Sequence, residues 1–150
     1  MAGHLTLALI KPHAHLQRHV GEIISRIEKE GFAILLAKVA QLQPDGAKDF
    51  YAEHAGKPFF TNLANVMSSG PIWALVLCKP NAVDEWRSVI GATHPAEAAE
   101  GTLRRQFGDP HNITNNAVHG SATDSDAKRE INFFFSRELK IVQRLNELSS

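Results

Sequence analysis

His119 stands in the run Asn116-Ala117-Val118-His119-Gly120-Ser121, and eleven residues beyond it comes an acid, Glu130. These residue types suit nucleophilic catalysis. A neutral imidazole is a strong nucleophile near pH 7, and a carboxylate at its other nitrogen fixes the tautomer and favours the charged ring that forms after attack. Val118 reads as a short apolar step that delivers the histidine into a Gly-Ser turn, and the helical pattern that follows can fold Glu130 back toward it. The chain has eight histidines, and a histidine beside a turn is often a solvated residue, so this stretch alone leaves both readings open.

Lys11, Arg87, Thr93, Arg104 and Asn116 lie far apart in sequence, yet each sits where an element ends. Loops at element ends are where binding groups collect. If these residues converge on His119, a polyphosphate is the ligand they fit. Guanidinium groups grip phosphate oxygens as a fork, lysine supplies a point charge, and both offset the charge of a transferring phosphoryl group. Taken singly, each is more often a surface residue, and Lys11 reads either as a solvated strand terminator or as an anion contact. Arg105, beside Arg104, has the same capacity for phosphate. The chain has no G-x-x-x-x-G-K-[ST] or G-x-G-x-x-G run, so side chains would have to hold the phosphates. His13, His15 and His19 raise a metal site, but no acid or cysteine joins them before Glu22. Zinc needs three or four convergent ligands, and no metal-ligating residue is assigned.

The elements that must position these groups follow from periodicity. Leu5, Leu7 and Leu9 alternate up to Ile10, a strand ended by Lys11-Pro12. Val20, Ile23, Ile24 and Ile27 keep helical spacing, with Gly31 as the stop. The span 32–42 reads as a strand, and Pro44-Asp45 opens a helix with Asp45 as its N-cap. Phe59, Phe60, Leu63, Val66 and Met67 form another amphipathic stripe before Gly70-Pro71. The span 72–78 is the clearest buried strand, and Pro80-Asn81 opens a helix that turns Ala82, Val83, Trp86, Val89 and Ile90 inward. The span 91–120 loses periodicity, a length of loop that is uncommon unless functional or partly helical. Thr123 with Asp126 reads as a variant capping box for a helix through Phe135, and Ser136 as the cap of a last helix. Strict βα alternation is broken, which points to an α+β sandwich.

A chain of 150 residues is most simply one domain, 1–150, with a core of its own. Basic and acidic residues number 16 each, so no overall field draws the chain to nucleic acid or membrane, and neither partner is expected. No apolar run reaches membrane-span length and the start is not that of a secretory signal. The single Cys78 suits a reducing compartment, and a cytoplasmic location is expected.

From residue 5 to about residue 139 the sequence closely resembles nucleoside diphosphate kinases. The resemblance is carried by Ala8-Leu9-Ile10-Lys11-Pro12, Gly21-Glu22-Ile23, Phe50-Tyr51 with Pro58-Phe59-Phe60, Ser69-Gly70-Pro71, Gly101-Thr102-Leu103-Arg104, and Asn116-x-x-His119-Gly120-Ser121 with Glu130-Ile131, all in the family's order. It implies a ferredoxin-like sandwich with a four-stranded antiparallel sheet covered by helices. It also implies ping-pong transfer of a γ-phosphate from a nucleoside triphosphate to a nucleoside diphosphate. His119 would form a phosphohistidine through Nδ1, oriented by Glu130 and Ser121. Lys11, Tyr51, Arg87, Thr93 and Arg104 would hold phosphates, and Lys11 and Asn116 would meet the sugar. Phe59 and Ile113 would enclose the base, a contact that tolerates any base because every base has a stacking face. The resemblance further implies Mg²⁺ carried by the nucleotide, and a homo-oligomer, hexamer or tetramer. Three positions depart from the family pattern: His13-Ala14 after Lys-Pro, Ala122 in place of an aspartate that reaches the metal's outer sphere, and about two extra residues between Arg104 and His119. The last two departures leave an alternative, a nucleotide-binding or scaffold protein of this fold with weak transfer.

Overall fold

In the computed structural model, which describes residues 3–149, strand β1 (Leu5–Ile10) lies inside the sheet and is buried on both faces. A strand sends alternate side chains to opposite sides. Leu7 and Leu9 accordingly enter one core with Phe50, Met67, Ile131 and Phe135, while Ala8 and Ile10 enter the other with Ile23, Ile27, Trp86 and Ile90.

The remaining elements are α1 (Pro12–Leu16), α2 (Val20–Lys29), β2 (Ala33–Ala40), α3 (Pro44–Phe50), α4 (Phe60–Met67), β3 (Ile72–Cys78), α5 (Ala82–Ile90), α6 (Leu103–Phe107), β4 (Val118–Gly120), α7 (Asp124–Phe135) and α8 (Leu139–Ser149). The sheet order is β2-β3-β1-β4, with every pairing antiparallel. With α2 and α5 crossing one face, this is the ferredoxin-like arrangement expected from the sequence. Helices α3, α4, α7 and α8 supply the core on the other face through Phe50, Leu63, Phe134 and Val142.

Several local expectations are corrected. Asp45 is not the N-cap of α3. Gln43 holds that position and Pro44 opens the helix, where its missing N–H costs nothing. Ser136 does not cap α8 but ends α7 in helical conformation. The span 91–120 is partly helical, with a 3-10 turn at Pro95–Glu97 and α6, whose N-cap Thr102 accepts from Arg105 N–H. The Thr123–Asp126 box is present, because Thr123 Oγ1 accepts from Asp126 N–H at 3.0 Å and bonds Asp126 Oδ2 at 2.9 Å.

Candidate active site

β4 is only three residues long, yet its register decides where the histidine points. His119 pairs with Leu9, so both side chains share the face occupied by Phe50 and Tyr51. The His119 ring meets these two aromatics edge-on, with centroids 5.5 and 5.9 Å away. Just before β4, Val118 N–H bonds the Asn116 carbonyl at 2.9 Å across Ala117, whose φ is 73°. This is a γ-turn in a sparsely populated conformation, a local strain of about 1–3 kcal/mol of the kind that clusters at functional sites.

On the opposite face the indole N–H of fully buried Trp86 donates to the His119 carbonyl at 3.1 Å. Gly120 makes this approach possible, since a Cβ there would lie 2.8 Å from Trp86 Cδ1 and 3.1 Å from Ile90 Cδ1. Gly120→Ala is therefore expected to lower the unfolding free energy by about 1–3 kcal/mol, the range for overpacking a rigid core. Urea unfolding of the two proteins checks this, and equal midpoints would contradict it.

His119 Nε2 lies 2.7 Å from Glu130 Oε1, and Ser121 Oγ donates to the same oxygen at 2.9 Å while accepting from Leu7 N–H at 3.2 Å. A carboxylate accepts only, so the neutral ring carries its proton on Nε2 and keeps a lone pair on Nδ1. Glu130 is anchored in turn by a hydroxyl tied to β1, which holds the ring at a fixed angle.

Of the residues to which the family resemblance gives a site role, all except Ser121 line one cleft of ≈ 500 Å³, a size that suits a nucleotide-sized ligand. Lys11 is not solvated. It is 4% exposed, its Nζ donates to the Thr114 carbonyl at 3.3 Å, and burial, with Arg104 nearby, lowers its pKa from 10.5 to about 7. Arg104 donates to the carbonyls of Gly91 at 3.0 Å and Val118 at 3.1 Å, and burial brings its pKa down to about 10. Burial, and next Glu130, push the Tyr51 phenol upward, so it stays protonated. Asn116 Nδ2 donates to the Thr93 carbonyl at 2.9 Å, and Arg87 reaches the Ala122 carbonyl at 3.2 Å.

Tyr51 Oη, Arg104 Nε and Asn116 Oδ1 are buried with no hydrogen-bond partner in the protein. Each such group costs about 1–3 kcal/mol, and three of them on one cleft match a ligand rich in oxygen atoms. Phe59 and Ile113 are 41% and 44% exposed and supply apolar surface to the same cleft.

The comparisons with known proteins bear on family and fold. The family model described as nucleoside diphosphate kinase matches residues 4–139. The chain belongs to the nucleoside diphosphate kinase family. Among nucleoside diphosphate kinases, it is 50% identical over 135 residues to that of Pasteurella multocida (strain Pm70), covering 90% of this chain and 96% of the relative. It is 46% identical over 133 residues to nucleoside diphosphate kinase 2 of Protochlamydia amoebophila (strain UWE25), covering 89% and 92%. Of solved structures, the nucleoside diphosphate kinase of Aquifex aeolicus superposes with a TM-score of 0.85 at 38% identity, covering 88% of this chain and 94% of that one. The Halobacterium salinarum nucleoside diphosphate kinase, solved in complex with CDP, gives 0.84 at 32%, covering 89% and 88%.

In this nucleoside diphosphate kinase chain one basic residue with the capacity to bind phosphate stands apart from the cleft. Arg105 turns away from the cleft to the carbonyls of Ala96 and Ala98. His13 Nε2 lies against the Phe107 carbonyl and His15 Nδ1 accepts from Trp73, so the two rings do not converge. Among the described residues no group of three or more His, Cys, Asp or Glu could hold a metal ion. Glu53, His54, Leu63 and Thr114 also line the cleft but carried no motif of their own. Arg129 contacts Glu53, Asp126 and Glu130, and its one signal in the sequence is its spacing from Asp126, that of a helical ion pair.

Proposed function

We propose that the chain transfers the γ-phosphate of a nucleoside triphosphate to a nucleoside diphosphate through a phosphohistidine at His119 Nδ1. The observation that carries this reading is the Nε2–Glu130 contact of 2.7 Å, which leaves the Nδ1 lone pair on a ring lining a cleft with Lys11, Arg87 and Arg104. Nδ1 attacks the γ-phosphorus, the bond to the β–γ bridging oxygen breaks, and the diphosphate leaves. The ring's new positive charge is met at Nε2 by Glu130. A second diphosphate then attacks the same phosphorus with a terminal oxygen and restores the histidine.

The cations offset charge on the phosphoryl oxygens while Tyr51, protonated, donates a hydrogen bond. Because Arg104 is bonded to the carbonyl of Val118, next to the nucleophile, its distance from the reacting nitrogen is set by the backbone. Phe59 and Ile113 take the base between apolar faces, and Asn116 with Lys11 meets the sugar.

Mg²⁺ carried by the nucleotide would supply charge neutralisation at its phosphates, with few or no direct protein ligands. In support, the lining carboxylates are already engaged, Glu130 by His119 and Glu53 by Arg129. We further read the chain as one domain, 1–150, acting as a homo-oligomer in the cytoplasm. The strand β2 at the sheet edge, with Val39 51% exposed, and the free buried Cys78 support these readings. No described helix is long and apolar enough to cross a membrane. Light scattering measures the oligomer.

The deciding experiment is incubation of the folded protein with [γ-³²P]ATP and Mg²⁺. The expected product is an acid-labile, base-stable phosphoprotein whose label is discharged by added diphosphate. A folded protein that takes up no label ends this reading.

A further inference from the structure

The two oxygens of Glu130 face different groups. Oε1 takes His119 and Ser121, while Oε2 lies 3.5 Å from Arg129 Nη2. The same Nη2 is 3.1 Å from Glu53 Oε2 and 3.7 Å from Asp126 Oδ1, and Nη1 donates to the Phe50 carbonyl at 3.2 Å. One guanidinium thus stands among three carboxylates, one of them, Glu130, with only 3% of its side chain exposed. Arg129 lies outside the lining of the cleft, so it acts on a nucleotide only through its neighbours.

We infer that Arg129 is a positioning residue for the phosphotransfer, a reading that rests on the function proposed above. Attack requires Oε1 to stay on Nε2 as the ring gains charge. The terminal torsion of a glutamate is soft, and the cation on Oε2 stops the carboxylate turning away from the ring. Arg129 also offsets the mutual repulsion of Glu53, Asp126 and Glu130, to which a polyphosphate in the neighbouring cleft adds its own negative charge. Its bond to the carbonyl of Phe50 ties this charge balance to the segment that carries Tyr51.

The test measures single-turnover phosphorylation by ATP, and ADP affinity, in the full chain and in R129M, R129K, E130Q and R129M/E130Q. We expect R129M to slow phosphorylation about ten-fold, the kinetic equivalent of one charge-assisted contact, with ADP affinity changed less than about two-fold. R129K restores part of the rate, because it keeps the charge without the fork. In the E130Q background, R129M costs less than about two-fold, since residues that act through one another are non-additive.

Equal losses on the wild-type and on the E130Q background would show a strap that merely holds Phe50 and Glu53, and would overturn the inference. So would a loss confined to ADP affinity. Should R129M fail to fold, R129K read in both backgrounds makes the same distinction. A wild-type protein that is not phosphorylated at all removes the proposed function and this inference together, whereas normal labelling with an unaltered rate in R129M removes the inference alone.

Discussion

His119→Ala is expected to abolish the phosphoprotein and to cut nucleotide transfer by about 10⁴-fold or more, the scale seen when a covalent nucleophile is removed. The protein should nonetheless fold and bind nucleoside diphosphate. The ring is on the cleft side of β4, and the substitution removes its bond to Glu130 and its edge-on contacts to Phe50 and Tyr51, the latter worth about 0.5–1.5 kcal/mol each. Glu130 keeps Ser121 and Arg129 as partners. Label retention, turnover and calorimetric binding of ADP are the three readouts. Label persisting in His119→Ala would move the nucleophile elsewhere, and His54, the other histidine lining the cleft, would be examined next.

Lys11→Met is expected to lower transfer by about 10²–10³-fold, the range for losing one preorganised electrostatic contact to a transition state, while making the unliganded protein more stable. A buried charge replaced by an apolar side chain of similar volume is often neutral or stabilising. The pH dependence supplies a second signature. The folded-state pKa of about 7 lies below the ordinary 10.5, so between these values the unfolded chain binds a proton that the folded chain does not. Stability therefore rises with pH across this window, with a limiting slope of about 1.4 kcal/mol per pH unit. Below pH 7 the lysine is charged in both states and the burial cost is present in full.

Tyr51 works the other way. Its folded pKa is raised, so its contribution to stability declines as pH rises above its ordinary value of 10.0. The lysine is therefore best read between pH 7.5 and 9.5, about the middle of its window, as the difference between wild type and Lys11→Met. A wild-type slope that survives the substitution would assign it to another group. Phosphate oxygens beside Nζ restore the charged form, so nucleotide binding above pH 7 should take up a proton. Calorimetry in buffers of different ionisation enthalpy reads this uptake, and Lys11→Met should lose it.

The strands and the long helices were legible because their apolar residues keep periods near 2 and 3.6, and the order of those periods yields the fold class. The convergence of the candidate site was legible where two residue types suit one chemistry, as with His119 and Glu130, which meet at 2.7 Å. Lys11 shows where legibility ends. Its place at a strand end could be read, but not its burial, which depends on contacts with residues as distant in sequence as Thr114. Arg104 and Arg105 are neighbours of the same type, and only the phase of α6 sends one into the cleft. That helix has five residues, too few for a period to register. Asp45 and Ser136 failed as caps for a related reason. Several residues near a helix start can serve, and the backbone path, here begun by Pro44, chooses among them. The positive φ of Ala117 has no sequence signal at all, since alanine does not favour it.

The bond from Trp86 to the carbonyl of His119 gives the protein an optical reporter of its own chemistry. An excited indole responds to the field at its N–H, and this N–H ends on the backbone of the residue proposed to acquire and lose a dianionic phosphoryl group. Trp86 is shielded from solvent, whereas the second tryptophan, Trp73, is only partly buried and bonds His15 instead. In a Trp73→Phe background, emission from Trp86 would follow each half of the transfer in real time, without label or coupling enzyme.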